Sequence, residues 1–224
     1  MKNVMLVGGG KIGVAITEFL SGTKDYKVTV ADRDAASLER MPRKDNVDLR
    51  KITIENPKDF AKEVEGHDIV LMATPYTLTP IIAEGAKRAG AHYLDLTEDV
   101  ESTRTIKKLA EGASTAFIPQ CGLAPGFISI VAYDLAQKFE KLRDVQMRVG
   151  ALPEFPHNAL KYNLTWSTDG LINEYCNPCE AVRDGKRIQV PALEELEQFT
   201  LDGVEYEAFN TSGGLGTLCE TLEG

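Results

Sequence analysis

Short apolar runs alternate with amphipathic segments along the first part of the chain. Residues 4–7 form an unbroken apolar run, which is typical of a strand buried on both faces. Residues 11–20 follow with apolar side chains at helical spacing. This strand–helix pattern repeats, so the sequence predicts six strands separated by helices. The further predicted strands are residues 27–31, 47–54, 68–73, 92–96 and 115–118.

This alternation is the pattern of an α/β fold with a doubly wound parallel sheet. Right-handed crossovers between parallel strands place helices on both faces of such a sheet. Six strands and their helices have the size of two mononucleotide-binding halves. The sequence therefore predicts a Rossmann-type domain over residues 1–125, with residues 47–54 near the edge of the sheet.

The pattern changes after Lys141, where strands, turns and a short helix replace the regular alternation. Asp-Gly pairs between apolar runs are typical of tight hairpins. We expect a smaller α+β domain over residues 126–224 that holds the substrate. Its predicted elements are strands at residues 144–150 and 162–167, a helix at 169–175, hairpins at 180–191 and 197–209, and a short final helix.

Closely spaced glycines join the first strand to the first helix. Gly8, Gly10 and Gly13 form G-x-G-x-x-G between a predicted strand and a predicted helix, the context in which this motif indicates dinucleotide binding. The first glycine allows a tight turn, the second lets a pyrophosphate approach the backbone, and the third lets the helix lie close to the sheet. Lys11 and Ile12 open the helix, whose free N–H groups attract phosphates. A turn needed only for packing is the alternative.

Asp32 ends the second predicted strand, where the dinucleotide motif places an acid. A carboxylate there accepts hydrogen bonds from the ribose hydroxyls of NAD and repels the 2′-phosphate of NADP. Arg33 opposes this preference, since an arginine at that place contacts a phosphate. We predict NAD as the cofactor, with NADP less favoured; FAD would also fit the first motif.

Ligands of open α/β sheets bind beyond the carboxyl ends of the strands. This rule selects polar residues that follow the fourth, fifth and sixth predicted strands. A buried, satisfied carboxylate is the structural alternative for Asp95, and a small buried hydrophobe is the alternative for Cys121. The predicted cofactor-binding residues here are Thr74, Pro75 and Cys121, and the predicted catalytic residues are Tyr76, Asp95 and Glu98.

Composition narrows the class of partner. The 224 residues carry a net charge of −9, which argues against nucleic acid as a ligand. No apolar run approaches the roughly 20 residues of a membrane span, so we expect a cytoplasmic protein. Cys176 and Cys179 form one C-x-x-C pair, but there is no second pair and the histidines are scattered, so no metal site is predicted.

Short motifs stand at residues 121–127, 162–167, 171–175, 183–186 and 207–217. In these motifs the chain resembles the saccharopine dehydrogenase-like oxidoreductases. Within that family the chain is most similar to the L-lysine 6-dehydrogenase branch, because Ala124 stands where saccharopine-cleaving relatives typically carry Asp. The resemblance implies a Rossmann domain, an α+β domain that forms a homodimer, and an amino-acid substrate.

The resemblance implies oxidation of a carbon–nitrogen bond with NAD(P) as hydride carrier, in this branch oxidative deamination of L-lysine at the ε-carbon. Asp95 or Glu98 would be the general base, with Tyr76 as a positioning group. A saccharopine dehydrogenase or reductase activity is one alternative, and a cofactor-binding protein without catalysis is another. Family members continue past the glycine-rich residues 212–216, so the resemblance predicts that the second domain is incomplete at Gly224.

Overall fold

The computed structural model describes residues 1–150, 152–159, 161–164 and 166–222. The chain divides into two compact units, Met1–Cys121 and Gly122–Gly224. This division falls slightly before the boundary predicted after residue 125. Residues 122–126 belong with the helix that follows them, because the carbonyl oxygen of Gly122 accepts a hydrogen bond of 2.9 Å from the N–H of Phe127.

The first unit is a parallel six-stranded sheet flanked by helices, as predicted for a Rossmann-type fold. The strand order is β3-β2-β1-β4-β5-β6, so the direction of winding reverses between β1 and β4. The strands are β1 (Lys2–Val7), β2 (Tyr26–Asp32), β3 (Val47–Lys51), β4 (Ile69–Met72), β5 (His92–Asp95) and β6 (Phe117–Ile118). The helices are α1 (Lys11–Gly22), α2 (Ala35–Glu39), α3 (Pro57–Val64), α4 (Thr79–Ala89) and α5 (Val100–Ala110).

Strand β1 contributes side chains to the apolar layers on both faces of the sheet. Met5 and Val7 pack in one layer, and Leu6 packs in the other. Successive side chains of a strand point to opposite faces, so a central strand covered on both sides is apolar at every position. This packing explains the unbroken apolar run that predicted the strand.

Helices α3 and α4 approach each other closely at Gly85. A Cβ atom added to Gly85 would lie 2.5 Å from Cδ1 of Phe60 and 3.2 Å from the carbonyl oxygen of Pro57. Phe60 is 2% exposed, and its ring lies in the core. The ring therefore fills the space that a side chain at Gly85 would need.

Gly85→Ala should destabilise the first unit, by about 1–3 kcal/mol, although alanine is normally the better helix residue. The reason is overpacking against Phe60. Gly22→Ala is the matched control, since Gly22 is also helical and a Cβ there meets nothing within 4 Å. We expect Gly22→Ala to be neutral or stabilising by up to about 1 kcal/mol in urea unfolding. Equal stabilisation by both variants would contradict the packing described.

The second unit contains helices and two antiparallel hairpins. The hairpins pair β7 with β8 and β9 with β10, and their turns place Asp184, Gly185, Asp202 and Gly203 at positive φ. Both hairpin predictions are confirmed. The elements are α6 (Phe127–Ala136), α7 (Thr168–Cys176), β7 (Cys179–Arg183), β8 (Lys186–Val190), β9 (Glu197–Leu201), β10 (Val204–Ala208) and α8 (Leu218–Thr221).

Two predicted strands of the second unit do not form. Residues 144–150 run without regular structure, and residues 162–167 do the same apart from residue 165, which lies outside the described residues. In the described part of the unit, neither segment is paired with another strand. A strand needs a hydrogen-bonded neighbour to satisfy its backbone groups, so alternating polarity alone was an insufficient signal.

Helix α6 carries several exposed apolar side chains. Phe127, Ile130 and Leu135 are 62%, 70% and 51% exposed, whereas Ala136 is buried. Within the described ranges, no helix combines the length and the apolar character that crossing a membrane requires.

Candidate functional site

The carboxyl ends of the parallel strands meet at one edge of the first unit. Ala31, Val7, Met72 and Asp95 are paired in register across β2, β1, β4 and β5. The segments that leave these strands therefore start side by side. Sheet topology thus brings the predicted site residues of the first unit to one edge.

Two glycines of the turn after β1 are required by the fold itself. Gly8 has a φ of 112°, and a Cβ there would lie 2.5 Å from the carbonyl oxygen of Ala73, just beyond β4. A Cβ on Gly13 would overlap the carbonyl oxygen of Gly8. The turn is thus packed tightly against both β4 and its own helix, and side chains are excluded on both sides.

Gly10 is different, because the fold does not require a glycine there. Its φ of −72° suits any residue, and a Cβ would meet nothing within 4 Å. Gly10 also leaves the N-terminus of α1 without a side-chain cap, whereas α2, α3 and α5 are capped by Asp34, Asn56 and Asp99. Open space thus lies before uncapped N–H groups, the arrangement that binds phosphates.

Lys11 and Ile12 form the exposed start of α1. Ile12 is 40% exposed. The first turn contains no acidic residue that would repel an anion. Both residues therefore lie where the predicted cofactor-binding role places them.

The carboxylate of Asp32 is held by two backbone donors. Oδ2 accepts a hydrogen bond of 2.6 Å from the N–H of Gly9, and Oδ1 accepts one of 2.8 Å from the N–H of Asp34. Each carboxylate oxygen has a second lone pair available. The acid is thus oriented beside the glycine turn and can accept further hydrogen bonds. Arg33, the next residue, is exposed.

Thr74 lies in the loop after β4, beside the glycine turn. Its Oγ1 is buried and finds no hydrogen-bond partner among the residues described. Its Cγ2 lies 3.2 Å from the position of a Cβ on Gly8. A buried hydroxyl without a partner is unfavourable, so it marks a place where a ligand could complete the bonding. Pro75 is exposed, and the half-buried Tyr76 starts a 3₁₀ turn, Tyr76–Leu78.

Asp95 is fully buried, with three donors around its carboxylate. Oδ1 accepts from the N–H groups of Thr97 at 3.1 Å and Gln120 at 3.0 Å, and Oδ2 accepts from the hydroxyl of Tyr93 at 2.8 Å. Burial raises the pKa of Asp95, while these hydrogen bonds oppose the rise. This geometry favours the structural alternative for Asp95 over the predicted role as a base.

Glu98 is the second predicted base, and it lies just before α5. It is 8% exposed. Burial raises its pKa, and the negative charges of Asp99 and Asp95 raise it further. Raised carboxyl pKa values are typical of groups that exchange protons near neutral pH. A backbone hydrogen bond opposes this rise at Glu98, and the pKa is raised at both predicted bases, so the two differ mainly in the donors that hold Asp95.

Cys121 follows β6 at the same edge of the sheet. The residue is exposed, although its thiol donates to the carbonyl oxygen of Ile118 at 3.2 Å. Burial of the thiol and the charge of Asp95 raise the pKa of Cys121, which favours the neutral thiol over the nucleophilic thiolate. This suits a residue that lines the site rather than one that attacks a substrate.

The C-x-x-C pair lies in the second unit. Cys176 ends α7 and is exposed, and Cys179 starts β7 and is buried. Both are free thiols. In the described residues, no group of three or more His, Cys, Asp or Glu side chains is arranged to hold a metal ion.

Sequence reasoning missed one residue that shapes the site and the conformation of another. Tyr93 donates to Asp95, and Gln120 adopts a left-handed conformation with φ of 63°. The sequence carried a signal for the contact of Tyr93 with Asp95, because residues two apart on a strand share a face of the sheet. It carried none for the conformation of Gln120, because glutamine rarely adopts positive φ.

The fold and the site define a Rossmann-type protein whose first turn resembles a dinucleotide-binding turn. The family model described as the saccharopine dehydrogenase NADP binding domain matches residues 4–116. The model described as the saccharopine dehydrogenase C-terminal domain matches residues 122–221. The chain therefore belongs to the saccharopine dehydrogenase family.

Individual relatives are distant and longer. The alpha-aminoadipic semialdehyde synthase of Rattus norvegicus is 23% identical over 84% of this chain, which corresponds to 21% of that protein. Saccharopine dehydrogenase [NADP(+), L-glutamate-forming] of Saccharomyces cerevisiae is 24% identical over 87% of this chain and 45% of its own length. The chain thus spans less than half the length of these relatives.

A solved structure supports the fold. Apo saccharopine dehydrogenase (L-Glu forming) from Saccharomyces cerevisiae superposes with a TM-score of 0.73 at 21% identity, over 95% of this chain and 50% of that one.

Gly10→Ala should weaken dinucleotide binding at least about tenfold, near 1.4 kcal/mol, and leave the free energy of unfolding within about 0.5 kcal/mol. The new methyl group would occupy only the space in front of α1. Gly13→Ala is the contrasting variant and should lower stability, because its methyl group overlaps Gly8. Calorimetric titration and urea unfolding measure the two effects. Unchanged binding in a folded Gly10→Ala protein would show that no phosphate lies there.

Proposed function

We propose that the first unit binds a nicotinamide dinucleotide and that the protein is an oxidoreductase acting on a carbon–nitrogen bond of an amino acid. The observation that carries the proposal is the open, uncapped N-terminus of α1 behind Gly10. Membership of the saccharopine dehydrogenase family supports it.

The residues at the sheet edge fit such a cofactor. The N–H groups of α1 suit the pyrophosphate, and the carboxylate of Asp32 suits a ribose. The hydroxyl of Thr74, which has no hydrogen-bond partner among the described residues, would gain one. When bound, the nicotinamide supplies an acceptor for hydride. Pro75 and Cys121, at the ends of β4 and β6, would line the same edge.

We propose NAD rather than NADP as the preferred cofactor of this chain. The family model and the yeast relative are named for NADP, so the proposal departs from them. Its support is Asp32, whose carboxylate is oriented by Gly9 and Asp34 and would repel a 2′-phosphate. Arg33 is the nearby opposite charge that could offset this repulsion.

Asp32→Asn should lower the ratio of NAD to NADP affinity at least about tenfold, because it removes charge and retains a carbonyl acceptor for Gly9. Arg33→Gln is the paired variant and should weaken NADP more than NAD. Fluorescence titration with NADH and NADPH measures both ratios. If the parent protein binds NADPH more tightly than NADH, the proposed preference is wrong.

For the reaction, we propose oxidative deamination of L-lysine at its ε-carbon. A lysine amine, with a pKa of about 10.4, is mostly ammonium at neutral pH and must lose a proton before its C–H bond can give up hydride. Glu98 would accept that proton, and Tyr76, after β4, would position the amine. Water then converts the substrate iminium to a semialdehyde and ammonia.

Two other functions have specific support. A saccharopine dehydrogenase activity is favoured by the name of the Saccharomyces cerevisiae relative. Cofactor binding without turnover is the other, since the open turn at Gly10, the carboxylate of Asp32 and the hydroxyl of Thr74 suit a bound dinucleotide without any catalytic group. NADH formation with lysine, with saccharopine or with neither distinguishes the three.

We further propose a homodimer through the second unit, which sedimentation equilibrium would test.

Glu98→Gln should reduce turnover by about 10²–10⁴-fold with little loss of cofactor binding, because the proton acceptor is removed. In the parent, turnover should rise with pH through a midpoint above the ordinary carboxyl range, because burial raises the pKa of Glu98. Glu101→Gln, at an exposed site in the first turn of α5, is the control. A Glu98→Gln protein with parental rate and pH profile would exclude Glu98 as the base.

A further inference from the structure

Strand β6 is only two residues long, so its pairing with β5 does not fix the loop that follows it. Its two residues pair with Tyr93 and Leu94 of β5, and this pairing ends at Ile118. Beyond Ile118, the loop stays bonded to β5 through Asp95, the last residue of that strand. Its side chain accepts from the N–H of Gln120, and its carbonyl oxygen accepts from the N–H of Cys121 at 2.7 Å.

The conformation of Gln120 shows that this contact constrains the loop. Its φ of 63° lies in the left-handed region, which residues with a Cβ adopt only when their surroundings hold them there. In this conformation two successive N–H groups, those of Gln120 and Cys121, both bond to Asp95. The same carboxylate also bonds the N–H of Thr97, so it joins the loops after β5 and β6.

We propose that Asp95 is a positioning residue, whose carboxylate holds the loop of Gln120 and Cys121 at the cofactor edge and exchanges no proton with the substrate. The identity of the bound cofactor rests on the proposed function. The hydrogen bonds between Asp95 and this loop, which we call the clamp, do not depend on it. Both carboxylate oxygens are occupied by donors in a fully buried site. Of the two predicted bases, Glu98 is then the one left to exchange a proton.

Substitutions at Asp95 separate the clamp from the charge. In Asp95→Asn, the side-chain carbonyl can still accept from Thr97 and Gln120, and the amide can donate to the hydroxyl of Tyr93. Asp95→Ala removes every one of these bonds. Tyr93→Phe removes only the hydroxyl and leaves the backbone bonds in place.

Hydrogen–deuterium exchange at residues 119–122 and NADH titration test the clamp in the full chain. We expect Asp95→Ala to exchange there at least tenfold faster and to bind NADH at least tenfold more weakly. Asp95→Asn and Tyr93→Phe should stay within about threefold of the parent in both. Val64→Ala, a core change in α3, should lower the melting temperature without moving either readout.

Three results would overturn the proposal. The first is an Asp95→Ala protein with parental exchange and NADH binding, and the second is an Asp95→Asn protein as impaired as Asp95→Ala. The third is an Asp95→Asn protein with parental exchange and binding but no turnover, because Asp95 would then be the proton acceptor. If Asp95→Ala does not fold, Asp95→Ser replaces it with the same expectations.

The pH profile separates this proposal from the proposed function. Asp95→Asn should retain the acidic limb of the turnover profile, and Glu98→Gln should lose it. If the parent oxidises no amine, the proposed function fails, and exchange and NADH binding still decide whether Asp95 is a clamp.

Discussion

The close approach of the glycine turn to the end of β4 is the constraint on which the site depends. Gly8 lies so near the carbonyl of Ala73 that no side chain fits between them. Gly13 in turn brings α1 against the turn. Because of this packing, the N-terminus of α1, the carboxylate of Asp32 and the hydroxyl of Thr74 share one edge. A looser turn would separate these groups.

The acidic residues at this edge differ in the hydrogen bonds that hold them. Asp32 and Asp95 are each tied to backbone N–H groups, which orients them and leaves them poorly suited to move. Glu98 is nearly as buried as Asp95, and its pKa is raised by burial and by neighbouring carboxylates. Burial raises the pKa of Asp95 as well, so the two residues are separated by the three donors that hold Asp95. Hydrogen bonding, more than residue type, therefore supports the different roles proposed for Asp95 and Glu98.

Much of the first unit could be predicted from sequence because its signals are local. The unbroken apolar run of β1, the helical spacing after Gly10 and the acid at Asp32 each follow from period and position. The second unit was harder, because residues 144–150 alternate in polarity without a partner strand in the described structure. A buried Asp95 satisfied by hydrogen bonds was one of the alternatives from sequence, but its bond to Gln120 could not be predicted, since it depends on a left-handed residue in a distant loop.

Hydrogen–deuterium exchange of the first turn of α1, with and without NAD, tests the central claim most directly. The uncapped N–H groups behind Gly10 should exchange quickly in the free protein and at least tenfold more slowly with NAD, while the capped first turn of α3 stays unchanged. Equal exchange at α1 with saturating NAD would show that the dinucleotide does not bind at this turn.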